Sequence, residues 1–107
     1  MTDATINVED SPDDTVRITV AGEMDMDNAT AVERQILDAI SNQLTAVTLD
    51  LSGLDYIDSA GLRVLFTLGT RLETLQITLR LLVPTESPIR RVIDLSGVTS
   101  TVPVLPS

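Results

Sequence analysis

Histidine, lysine, cysteine and tryptophan do not occur in this chain of 107 residues, and each absence closes a route to function. Without cysteine there is no disulfide framework, no thiol nucleophile and no thiolate metal site. Without histidine there is no Ser–His pair, no imidazole base and no His-ligated zinc. Without lysine there is no Walker-type phosphate loop and no Schiff base. Carboxylates alone remain for a hard cation or for acid–base work. The composition therefore favours a binding protein over an enzyme, with no catalytic residue, metal or cofactor expected.

Other scarcities narrow the partners. All seven basic residues are Arg, against 16 Asp and Glu, for a net charge of -9. A phosphate backbone needs clustered cations, and only Arg90 and Arg91 are adjacent, so nucleic acid is not an expected partner. No run approaches the ~20 apolar residues of a membrane span, so no membrane is expected either. The N-terminus lacks the basic start and apolar stretch of a secretory leader, and the cytoplasm is the default location. Tyr56 and Phe66 are the only aromatics, so the core must be built from Leu, Ile, Val and Ala. At 43% hydrophobic residues, there is enough to bury one.

What is present reads as alternating strands and helices. Residues 4–9 suit a short edge strand, and Ser11-Pro12-Asp13-Asp14 a turn. Val16–Ala21 alternates apolar and polar, the mark of a half-buried strand ended by Gly22. Asp27 or Asn28 can cap a helix in which Ala29, Val32, Ile36, Ile40 and Leu44 form one stripe over roughly four turns. Val47–Leu51 is a second strand. Leu54–Asp58 reads as a short connection ending at a cap. A helix follows, with Leu62, Leu65, Phe66, Gly69 and Leu72 on one stripe. Ile77–Leu81 is a third alternating strand. Ser87-Pro88 opens a short helix that Gly97 closes. Val102–Leu105 adds a last strand interrupted by Pro103. Strand–helix–strand units imply parallel pairing, and the opening pair can be antiparallel. The strands alternate rather than running continuously apolar. The fold class is therefore α/β: a two-layer domain with a mixed four- to five-stranded sheet and helices mainly on one face.

Two segments carry candidate chemistry. Asp58-Ser59-Ala60-Gly61-Leu62 lies where a helix begins. Asp58 or Ser59 there is suited to ordinary capping of free backbone N–H groups. Gly61, however, falls inside the first turn, where glycine costs ~1 kcal/mol relative to alanine, and such a glycine often marks a close approach by another backbone or by a partner. Ser59 has no His or Lys to activate it as a nucleophile, yet it can accept phosphate from an enzyme that brings its own ATP, Mg²⁺ and base. The second segment is Ala21-Gly22-Glu23-Met24-Asp25, with Asp27 and Asn28 just beyond. It reads as a turn with a capping carboxylate, or as part of one surface with Asp58 if the two strand-to-helix loops share a sheet edge. Asp25 and Asp58 as a glycoside-cleaving acid and base are a third reading, weakened by the lack of aromatic platforms.

Taken together, Ala-Gly-Glu-Met-Asp (21–25), Leu49-Asp50-Leu51-Ser52, Asp58-Ser59-Ala60-Gly61-Leu62 and Arg91-Val92-Ile93-Asp94-Leu95-Ser96-Gly97 resemble the STAS domain of bacterial anti-sigma factor antagonists. The resemblance runs from Val16 to about Val98. It implies a single domain over 1–107, with a weakly patterned strand and turn at 1–14 and a short tail at 103–107. It also implies a partner switch. The unphosphorylated protein binds an anti-sigma factor that is itself a serine kinase, freeing a sigma factor and so regulating transcription. The kinase phosphorylates Ser59, and a phosphoserine phosphatase resets it. Asp25, Asp27, Asn28, Asp58, Ala60 and Gly61 are the expected partner-binding residues. An accessory domain of a transporter or stress-sensing complex, docking without phosphorylation, is the alternative. Family members often end in a further helix that Pro103–Ser107 cannot form, which leaves part of a layer open to solvent or to a second subunit in a homodimer.

Overall fold

A computed structural model describes residues 2–106; Met1 and Ser107, the ends of the expected 1–107 domain, lie outside the described residues. The chain begins with the antiparallel pair β1 (Ala4–Ser11) and β2 (Thr15–Met24). It continues through α1 (Ala29–Asp38), β3 (Ala46–Asp50), β4 (Leu54–Ile57), α2 (Ser59–Thr74), β5 (Thr78–Leu82), α3 (Arg90–Ser96), a 3₁₀ turn at Val98–Ser100, and β6 (Val104–Leu105). The sheet order is β1-β2-β3-β5-β6, parallel from β2 onwards, with β4 paired to β2.

The expected class, a mixed two-layer α/β fold, is the one observed. Val16, Ile18, Val20, Val47, Leu49, Leu79 and Leu81 are buried on one face of the sheet, against Val32 and Ile36 of α1 and Leu65, Leu68 and Leu72 of α2. Arg17, Thr78 and Arg80, at alternate positions, are exposed. With Tyr56 and Phe66 at 50% and 38% exposure, the core is aliphatic throughout. Fully burying each such Leu or Ile contributes about 1.5–3 kcal/mol.

Several boundaries differ from the sequence expectation: β1 runs on to Ser11, α3 begins at Arg90 rather than at Ser87-Pro88, β6 is only Val104–Leu105, and three further differences bear on the site. Gly22 does not end its strand. It adopts φ +105°, and β2 continues to Met24 after a register shift between Gly22 and Glu23. At that shift β2 exchanges one neighbour for another: β3 pairs with Thr15–Thr19, and β4 pairs from Gly22 on. A side chain at Gly22 would bring its Cβ within 2.5 Å of the Asp3 carbonyl oxygen, so only glycine fits this bend. Secondly, residues 54–57 are a strand, not a connection, so the sheet has six strands among the described residues. The Ser52-Gly53 turn interrupts what is nearly one long strand, and Gly22 N–H donates to Gly53 O at 3.0 Å across it. Thirdly, α1 has ten residues rather than four turns. Ile40 and Leu44 keep the apolar rhythm and pack on the core, but from the turn beyond the helix end.

Candidate functional site

β2 and β4 run parallel side by side, so their carboxyl ends release two loops at the same sheet edge. The first loop, 25–28, leads into α1, and the second, Asp58, leads into α2. Topology thus meets the condition that the two acidic segments share an edge, the usual place for ligand and partner loops in parallel sheets.

Asp58 joins them. It is the N-cap of α2, and its Oδ1 accepts from the Ala60 and Gly61 N–H groups at 2.9 and 3.1 Å. This is the expected capping role. Its other oxygen, Oδ2, accepts from Met26 N–H at 3.3 Å, and its own N–H donates to Met24 O at 3.2 Å. One side chain therefore both closes the helix start and ties it to the preceding loop.

Asp25 organises that preceding loop. Its Oδ1 accepts from Asp27 N–H at 2.8 Å and its Oδ2 from the Thr2 hydroxyl at 2.7 Å. The Thr2 hydroxyl, and then the Asp27 N–H, hold the Asp25 carboxyl below its ordinary value of 3.8, because both stabilise the charged form. The carbonyl of Asp25 accepts from Asn28 and Ala29 N–H. Asn28 occupies the N-cap of α1 but makes no side-chain cap bond. Its amide turns back instead: Oδ1 accepts from Asp25 N–H at 3.0 Å, and Nδ2 donates to Glu23 O at 2.9 Å. Asp27 does not cap either; it is exposed. The expected capping of α1 by one of these side chains is replaced by a loop folded on itself.

Ser59 is the first residue of α2 and is exposed. Ala60 beside it is half-buried. Gly61 is buried, which differs from a partner-facing position. A Cβ there would lie 2.5 Å from Ile57 Cγ1 and 3.2 Å from Met24 O, so the close approach that excludes a side chain is to the chain's own β4 and β2. Asp25 is poorly suited to be a general acid, which needs a raised pKa, because its carboxyl is held below the ordinary value.

Two side-chain environments were not legible in the sequence, one at this edge and one on the other face of the sheet. Met26 is 78% exposed, between two aspartates and outside any apolar rhythm that would have marked it. With Ala29, Thr30, Glu33, Ala60, Arg63, Val64 and Thr67 it lines a shallow groove between α1 and α2. The second feature, on the open sheet face, is Asp50. It is buried, pairs with Arg17 and accepts from the Ser52 N–H and hydroxyl. Burial raises its pKa, but the Ser52 hydroxyl, the Ser52 N–H and Arg17 together outweigh burial and leave the carboxyl below its ordinary value. The Leu-Asp-Leu-Ser motif thus has a structural role.

The model of the STAS domain family matches residues 5–107. The chain belongs to the STAS domain family. Over 77 residues this STAS domain is 36% identical to BtrV of Bordetella bronchiseptica, which is described as an anti-sigma factor antagonist; the match covers 72% of the chain and 66% of that relative. It superimposes with a TM-score of 0.85 on the crystal structure of an anti-sigma factor antagonist from Mycobacterium paratuberculosis, at 30% identity, covering 98% of this chain and 87% of the other. The unphosphorylated anti-sigma factor antagonist SpoIIAA shares the fold, with a TM-score of 0.74 at 24% identity over 94% of this chain and 87% of its own. Among the described residues, no helix of the STAS domain is long and apolar enough to cross a membrane, and no group of three or more acidic side chains could hold a metal ion.

Proposed function

We propose that this STAS domain is an anti-sigma factor antagonist that works as a phosphorylation-controlled partner switch in the bacterial cytoplasm. Unphosphorylated, it binds an anti-sigma factor serine kinase and thereby frees a sigma factor. The kinase then modifies Ser59: the Ser59 Oγ bonds to the γ-phosphorus of ATP held by the kinase, the bond to ADP breaks, and the hydroxyl proton passes to a kinase base. A phosphoserine phosphatase reverses the step. The protein supplies a surface and an acceptor, and the chemistry belongs to its partners.

The observation that carries this reading is the exposed Ser59 hydroxyl on the first turn of a helix whose start is locked to the neighbouring loop by Asp58. A rigid, open acceptor suits a kinase active site. Exposed Met26 beside it offers an apolar anchor, and Asp25, Asp27 and Asp58 offer carboxylates to a basic partner. Phosphate adds about -1.5 to -2 charges at pH 7. The positive end of the helix dipole tolerates that charge, so the domain stays folded while its docking face becomes more acidic and more crowded, and the kinase is released.

Incubation with the cognate kinase and ATP, followed by mass mapping, tests this. Wild type should be labelled on Ser59 and Ser59→Ala should not. Persistent labelling at another residue would remove the assignment. Capture of a transporter ATPase in place of a kinase and sigma system would favour a docking domain that is not phosphorylated.

A further inference from the structure

The first two turns of α2 contain one cation, Arg63, four residues after Ser59 and exposed like it. Side chains four apart on a helix lie on one face, with Cβ atoms about 5–6 Å apart. Each Cα–Cβ bond leans toward the helix N-terminus, so a side chain as long as that of Arg63 is within reach of the turn that holds Ser59. An anion followed by a cation at this spacing is also the favourable order on the helix. Arg63 takes part in neither of the two ion pairs found among the described residues. Among the described residues it is the only cation lining the groove with Met26, Thr30 and Glu33. Among the described residues, the other charged groups on the 25–28 loop, at the start of α2 and along the groove are Asp25, Asp27, Asp58 and Glu33, all anions that offer a phosphate no counter-charge.

The geometry points to Arg63 as the intramolecular partner of a phosphate on Ser59. This rests on the phosphorylation proposed above. The guanidinium presents two parallel N–H donors that match phosphate oxygens. Pairing has a second consequence. The groove between α1 and α2 loses its only cation at the moment the phosphate arrives, so a carboxylate of the partner that used Arg63 in the unphosphorylated state loses its contact. One modification therefore changes the docking face at two points.

The test separates this pairing from the regulatory reading. Phosphoserine is installed at position 59 during synthesis of the full chain, with no kinase, and the phosphate is titrated by ³¹P NMR in the wild type, Arg63→Gln and Arg63→Lys. Circular dichroism checks the fold, which an exposed substitution should preserve. The second phosphate pKa should lie roughly half a unit lower in the wild type than in Arg63→Gln. Arg63→Lys should fall between them, and the gap should close at about 1 M salt, where charges are screened within ~3 Å. Coincident titrations of wild type and Arg63→Gln overturn the pairing. Failure of a cognate kinase to label Ser59 would instead sink the regulatory reading and leave the titration result standing.

Discussion

Asp58 makes four hydrogen bonds with its own backbone N–H and two carboxylate oxygens, and those bonds connect three elements. Replacing it by alanine removes the cap, worth about 1 kcal/mol, and frees the 25–28 loop from α2. Asp58→Ala should lower stability by about 1–2 kcal/mol, read as a lower urea midpoint with an unchanged slope. Asp58→Asn keeps an acceptor oxygen and should lose less than half of that. The two substitutions also separate fold from docking, since asparagine removes the charge that a basic partner would meet. Half of this residue was legible in the sequence. A carboxylate just before an apolar helical stripe is a cap by local rules, and Ala60 and Gly61 are two and three residues away. The bond to Met26 was not legible, because it spans 32 residues and exists only where β2 and β4 run side by side.

For the element α2, the informative position is Gly61. In an isolated helix, Gly61→Ala would gain about 1 kcal/mol. Here the new methyl group meets Ile57 Cγ1 at 2.5 Å and Met24 O at 3.2 Å. Overpacking of this kind costs roughly 1–3 kcal/mol, so the variant should be less stable than wild type despite better helix propensity. Ile57→Ala opens the space, and in that background Gly61→Ala should cost less, a coupling that a double-mutant cycle in urea measures. The sequence marked Gly61 as a close approach, but not what approaches. At α1 the apolar rhythm overstated the helix. Its end tightens through Ala39 N–H to Ile36 O and Ile40 N–H to Leu37 O, both at 3.1 Å. Periodicity counts residues that face the core, and Ile40 and Leu44 reach it from outside the helix.

Across the whole molecule, an excess of acidic groups makes the acid limb of stability informative. Asp25 and Asp50 both have carboxyls held below 3.8 in the folded state. The unfolded chain therefore binds protons at higher pH than the folded one, and the folded state gains stability as pH rises through that range. This gain is complete above the unfolded value and lost as pH falls through the folded values. Urea midpoints should therefore fall from pH 5 to pH 3. Asp50→Asn should flatten this dependence. It should also lower stability at pH 7 by about 1–3 kcal/mol, because Arg17 and Ser52 lose a charged acceptor. A variant with the same pH dependence as wild type would show that Asp50 titrates alike in both states. The Asp50 pairing joins neighbouring strands, and strand alternation alone would place this residue on the solvent face.

Residue types and their local order were enough to exclude thiol, imidazole and lysine chemistry, to require an aliphatic core, to assign a mixed α/β class, and to place Ser59 at the start of a helix. Each of these depends on composition or on neighbours within one or two turns. The tertiary structure decided what depends on register between distant strands. Parallel pairing of β2 with β4 brings the 25–28 loop to Asp58, turns Gly61 inward against Ile57 and Met24, and leaves Met26 and Arg63 on the rim of one groove. Hydrogen bonds and contacts across 30 residues follow from which strands are adjacent, and adjacency is a property of the folded chain as a whole.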